Sequence, residues 1–114
     1  MAHLSRLIGG MFAVSALFAL PALAGAASDN KLAQRLAANC ASCHGTAGVA
    51  AANTLPPLAG QPKDSIIASM QAFKSGTRPS TVMQQLAKGY TDEQIGLIAG
   101  YFSGLKLTEA GGAK

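Results

Sequence analysis

The sequence predicts a small all-α domain of three to four helices. Apolar residues recur at intervals of three and four, and no stretch alternates apolar with polar residues as a half-buried strand does. Glycine, proline and small residues separate the periodic runs. There is no internal repeat.

Residues 1–27 stand apart from the rest. A short head containing Arg6 leads into an apolar run from Leu7 to Ala24, and small residues follow up to the polar Ser28, Asp29 and Asn30. This is the pattern of a cleaved secretory signal peptide, with the cut after Ala24 or after Ala27. The alternative is a retained membrane anchor, because the run is just long enough to span a bilayer. Residues 28–114 then form one domain.

Five segments of that domain follow in order. "SDNKLAQRLAANCASCH" places Leu32, Leu36 and Cys40 four apart behind a cap candidate, Ser28 or Asp29, and predicts a helix running up to the cysteines. "GTAGVAAANTLPPLAG" is rich in glycine, proline and alanine and reads as a long irregular loop, which in so small a domain wraps around something. "QPKDSIIASMQAFKSG" predicts a second helix that starts near Pro62, turns Ile66, Met70 and Phe73 to one face, and ends at Gly76. "TVMQQLAKGY" gives a short third helix or turn with Val82 and Leu86 as its apolar positions and Gly89 as its stop. "TDEQIGLIAGYFSG" has Thr91 and Gln94 in capping-box spacing, runs Ile95, Ile98 and Phe102 along one face, and stops at Gly104. The tail "LTEAGGAK" is expected to fray.

Composition adds a constraint. With residues 1–27 removed, the aromatic residues are Phe73, Phe102, Tyr90 and Tyr101, and there is no tryptophan. So small a chain buries too little apolar surface without a disulfide, a metal or another staple. Charge is uninformative by comparison. Nine Lys and Arg face five Asp and Glu, and the basic residues are scattered, which excludes a nucleic-acid footprint. Lys74 and Arg78 suit carboxylate partners in principle and otherwise stand as solvated surface charges. Tyr90 and Tyr101 could offer hydroxyls and otherwise stand as partly buried core.

The chemistry concentrates in "NCASCHG", which holds both cysteines, Cys40 and Cys43, and next to them His44. A thioredoxin-like pair belongs at the start of a helix in an alternation of strands and helices, whereas this pair closes a helix in an all-helical pattern. A structural zinc site needs four ligands, and residues 28–114 offer no further cysteine or histidine. A Cys40–Cys43 disulfide would explain neither His44 nor the thin core. C-x-x-C-H is the attachment site of c-type haem, in which each thiol forms a thioether with a vinyl group and the histidine becomes the proximal iron ligand. One covalent haem would also supply the missing core, and attachment outside the bacterial cytoplasm agrees with an export signal. For the sixth ligand, spacing leaves two methionines. Met70 lies mid-helix among Ile66, Ile67 and Phe73, while Met83 follows the breaker-rich "GTRPST".

The stretches "NCASCHGTAG", "LPPLAGQ", "MQAFKSG", "STVMQQLAKGYTDEQI" and "IAGYFSG" resemble, in that order, the class I cytochromes c. Within that family the chain is most similar to the cytochrome subunit of flavocytochrome c sulfide dehydrogenase and to the halves of cytochrome c4. The resemblance implies a class I cytochrome c fold, three to four helices wrapped around one covalent haem. Cys40 and Cys43 match the thioether cysteines, His44 the proximal ligand and Met83 the distal ligand. Pro56 matches the proline whose carbonyl accepts from the proximal histidine, with Pro57 as the adjacent alternative. An N-terminal helix, here Lys31 to Cys40, would cross a C-terminal one, here Asp92 to Ser103, near Tyr101 and Phe102. The sulfide dehydrogenase subunit is often a two-haem chain, and this chain has a single site.

The function implied is periplasmic electron transfer without bond chemistry. The partner would be a sulfide-oxidising flavoprotein whose haem subunit this chain is. A free carrier of the c4 or c5-like type among respiratory redox proteins would use the same residues. A haem enzyme with an open iron would need a distal acid or base, and the only histidine after residue 27 is already the proximal candidate.

Overall fold

The computed structural model describes residues 22–107. Four α-helices account for most of them: α1 (Ala22–His44), α2 (Lys63–Ser75), α3 (Met83–Lys88) and α4 (Asp92–Gly104), with one 3-10 turn at Ala51–Asn53. There is no strand among the described residues. The expected signal segment lies outside the described residues as far as residue 21, and residues 22–27 continue α1. The tail from residue 108 also lies outside them.

α1 packs against α4, and α2 packs against both α3 and α4. The first helix is longer than its spacing suggests at both ends. It does not begin at Ser28 or Asp29, because the alanine-rich turns before them favour helix, and the Ser28 hydroxyl donates to the Gly25 carbonyl at 2.7 Å instead of capping a new start. It also encloses the C-x-x-C-H cluster in its last turn. Its buried stripe is rotated from the expected one. Ala33 and Ala37 are buried, Leu36 and Cys40 are half-buried, and Leu32 is 45% exposed. An interval of four drifts around a helix of 3.6 residues per turn, and small side chains let α4 approach closely.

α4 supplies the centre. Ile95, Ile98, Ala99 and Phe102 are buried and meet Ala37 of α1, Ile66 and Met70 of α2 and Ala87 of α3. The Phe102 ring meets Tyr101 edge-on, with centroids 5.2 Å apart. The start of α4 is a complete capping box. The Gln94 amide donates to Thr91 Oγ1 at 3.2 Å, and the Thr91 amide donates to Gln94 Oε1 at 2.9 Å. α3 departs from its expected face: Ala87 is buried, whereas Val82 and Leu86 are 55% and 47% exposed.

The loop after α1 is pinned in two places. The Gly48 carbonyl accepts from the Leu58 and Ala59 amides at 2.7 and 3.2 Å, which closes the neck of the excursion, and the Gly60 amide donates to the Phe102 carbonyl at 3.0 Å. Gly48 has φ +78° and sits so close to α4 that a Cβ there would stand 2.8 Å from Phe102 Cδ1 and 2.9 Å from the Ala59 nitrogen. Gly76, which ends α2, has φ +81° with open space around it.

These two glycines therefore predict different costs. Gly76→Ala should lower stability by about 1 kcal/mol, the cost of a left-handed alanine. Gly48→Ala should lower it by about 2–4 kcal/mol, because steric overlap adds to that cost. Urea unfolding of both variants checks the difference.

The start of α4 predicts a pH dependence. The Asp92 carboxyl is held below its ordinary value chiefly by its hydrogen bond to the Lys74 ammonium, and then by the Gln71 side chain. Glu93 is held down by its own backbone N–H and by the Thr91 hydroxyl. A carboxylate lowered in this way stabilises the fold at pH above its unfolded value, and that stabilisation is lost as pH falls through the folded value. The unfolding midpoint should therefore drop below about pH 4, and Asp92→Asn should flatten the drop in an acid titration followed by circular dichroism.

Candidate haem-attachment site

The last turn of α1 gathers the motif. Cys40, Cys43 and His44 stand at positions i, i+3 and i+4 of one helix, so all three project from one side within a single turn. Cys40 is half-buried and packs against the core, and burial pushes its thiol pKa up, whereas Cys43 is exposed. A raised thiol is the opposite of what a redox-active pair requires. The two thiols are unpaired. Among the described residues, no group of three or more His, Cys, Asp and Glu side chains converges as for a protein-held metal ion.

His44 Nδ1 lies 2.9 Å from the Pro56 carbonyl oxygen. A carbonyl only accepts, so this contact places a ring proton on Nδ1, and in the neutral ring the lone pair then belongs to Nε2. The neighbouring Pro57 carbonyl is engaged separately by the Gln61 side-chain amide. The pinned neck of the loop brings Pro56 back to His44, because the chain leaves at Gly48 and must return at Leu58 and Ala59. The structure thus brings Cys40, Cys43, His44 and Pro56 together.

Met83 stands on a separate element, as the first residue of α3, partly buried against the rim of the core. Met70 is buried mid-α2 within the core itself. Lys74 and Arg78 are not free surface charges. Lys74 Nζ donates to the Tyr90 carbonyl and to Asp92 Oδ1, both at 2.8 Å. The Arg78 guanidinium lies 4.6 Å from the centroid of the Phe73 ring and donates to Ser69 Oγ at 3.1 Å. The Tyr90 hydroxyl accepts from Asn39 Nδ2 at 3.2 Å. No sequence spacing exposes these contacts, since Lys74 and Asp92 belong to different helices.

The residues present fit a large flat apolar group joined to the chain. Among the described residues, more than half of the buried apolar ones are alanine. Leu55, next to the carbonyl that meets His44, and Val82 and Leu86, which flank Met83, keep 38%, 55% and 47% of their surface exposed. Two unpaired thiols and an imidazole whose Nδ1 is already engaged by Pro56 stand on one helical turn. This donor set suits two thioethers and an iron ligand.

Comparison with known proteins agrees. The family model described as cytochrome c oxidase, cbb3-type, subunit III matches residues 27–102. The cytochrome subunit of sulfide dehydrogenase from Chlorobaculum tepidum is 46% identical over 70 residues, 61% of this chain and 63% of that protein. Cytochrome c4 from Pseudomonas aeruginosa is 36% identical over 89 residues, 78% of this chain and 44% of that one. The solved cytochrome c4 structure from Acidithiobacillus ferrooxidans superposes with a TM-score of 0.63 at 33% identity, covering 68% of this chain and 51% of that one. The chain thus spans about half the length of the c4 relatives and somewhat less than two thirds of the sulfide dehydrogenase subunit. Covalent haem c is the cofactor of these proteins, and the C-x-x-C-H turn of α1 is where this chain can carry it. With α2 and α3 and most of α1 and α4 inside the matched region and the fold of a solved cytochrome c4, the chain belongs to the cytochrome c family, with the class I fold.

Proposed function

We propose that this chain is an exported electron carrier, with residues 1–27 as its cleaved signal, in which Cys40 and Cys43 would hold haem through thioethers and His44 and Met83 would be the protein's ligands to its iron. Bound haem supplies a one-electron couple between ferric and ferrous iron. The observation that carries the reading is the His44–Pro56 contact on the turn that bears both thiols. By accepting the Nδ1 proton, the Pro56 carbonyl fixes the tautomer and the ring plane, so that Nε2 is presented as a ligand throughout the redox cycle. Met83 enters from α3 as a soft sulfur donor, which favours the reduced state. With His44 and Met83 both as ligands, the iron would suit electron transfer and would offer no position to substrate.

The physiological partner we propose is a sulfide-oxidising flavoprotein, from which this chain would accept electrons for a respiratory acceptor. The identity with the cytochrome subunit of sulfide dehydrogenase supports this reading. A second reading, a free periplasmic carrier, is supported by the likeness to cytochrome c4 in both sequence and fold. Among the described residues no helix is long and apolar enough to cross a membrane, which is compatible with either.

Two expected outcomes test these assignments. Cys40→Ser/Cys43→Ser should abolish haem that survives denaturing electrophoresis, and Met83→Ala should remove the sulfur-to-iron absorption of the ferric protein and lower its reduction potential. An unchanged spectrum and potential in Met83→Ala would show that Met83 is not a ligand. For the partner, material purified mildly from the native periplasm should carry flavin absorbance that bleaches on adding sulfide. The same haem spectrum without flavin would favour the free carrier.

A further inference from the structure

Met83 depends on its surroundings for its position. α3 is six residues long, packs on α2, buries only Ala87 fully and leaves Leu86 and the preceding Val82 largely exposed, so few side chains anchor it. The segment that carries it leaves α2 at Gly76 and rejoins the fold at Thr91. Both ends of that excursion are tied to one short stretch of α2.

The leading end is tied through Arg78. Its amide donates to the Ala72 carbonyl at 3.0 Å, its guanidinium lies over Phe73 and reaches Ser69, and its carbonyl accepts from Gln84 Nε2 at 3.1 Å. The trailing end is tied through Tyr90. Lys74 Nζ donates to the Tyr90 carbonyl at 2.8 Å, and Asn39, adjacent to Cys40, donates to the Tyr90 hydroxyl at 3.2 Å. Tyr90 follows the end of α3, and its amide bonds back to Ala87 at 3.3 Å. A cation there meets a carbonyl just past a helix C-terminus, where a positive charge is favourable.

We propose that Lys74 is a positioning residue for the Met83 sulfur, acting by holding the Tyr90 carbonyl and so the exit of the ligand-bearing segment. The proposal rests on Met83 being the sixth ligand. In this arrangement Asp92 serves to place the Lys74 side chain, and the hold itself is the ammonium-to-carbonyl bond. Loss of that bond lets the segment swing out more often and frees the sixth position for a competing base.

The test uses the purified holoprotein. Ferric protein is titrated with imidazole, which competes with methionine sulfur for iron, at a temperature well below each variant's unfolding midpoint. Under those conditions a merely less stable fold does not alter the titration. Lys74→Met should bind imidazole about five- to tenfold more tightly than the parent, the effect of losing a charge-assisted bond that favours the closed state. Lys74→Arg, which can still donate to the carbonyl, should stay within about twofold of the parent, and so should Asp92→Asn, which keeps the ammonium. If Lys74→Met yields no folded holoprotein, Lys74→Gln carries the same prediction, a tighter imidazole site. Unchanged imidazole affinity in Lys74→Met or Lys74→Gln overturns the proposal, as does an equal rise in Asp92→Asn. Failure of the underlying reading is recognised separately. In that case the parent has no sulfur-to-iron band, or Met83→Ala keeps it, and the proposal falls with it.

Discussion

The thin alanine core is the constraint on which the rest of this protein depends. Among the described residues Ala33, Ala37, Ala50, Ala59, Ala87 and Ala99 are buried, and only Phe102, Ile95 and Ile98 are large side chains shut off completely from solvent. Small side chains let helices approach closely, but each removes little apolar surface from water. A domain built this way gains too little from helix packing alone to stand comfortably above its entropy cost. Covalent haem, the cofactor of the family, offers the large apolar surface that such a core lacks, and the exposed Leu55, Val82 and Leu86 belong to the segments that carry the candidate ligands and their supports.

A second consequence concerns where the chemistry sits. The thiols and His44 stand on a long helix that packs against α4, whereas Pro56 comes from an irregular loop and Met83 from a six-residue helix that packs on α2 and buries one residue fully. Each such stretch is held by backbone hydrogen bonds or side-chain ties at its ends. The loop that carries Pro56 closes at Gly48 and docks on Phe102, and the segment that carries Met83 is tied to α2 through Arg78 and Lys74. Irregular backbone thus serves here as a positioned arm. Its backbone polar groups are paired at the neck.

Much of this was legible in the sequence, for local reasons. The second and fourth helices announce their ends through Pro62, Gly76, Thr91 and Gln94, because capping and left-handed stops depend on nearest neighbours alone. The stripe Ile95, Ile98 and Phe102 follows directly from helical periodicity. The first helix was less legible. Leu32, Leu36 and Cys40 suggested a face that the structure rotates toward Ala33 and Ala37, since alanine carries little weight in an apolar pattern yet gives the closest helix contact. The ion pair of Lys74 with Asp92 was not legible at all, because nothing local links α2 to α4.

By itself, the sequence determined the all-α class, the helix stops and the C-x-x-C-H motif, all of them properties of adjacent residues and of covalent chemistry. Tertiary structure decided which proline carbonyl meets His44, which helix face is buried, and what holds the two ends of the Met83 segment. The physical reason is the same in each case. These outcomes depend on groups far apart in the chain meeting at hydrogen-bond distance, and a one-dimensional pattern carries no record of that meeting until the core has fixed where each helix lies.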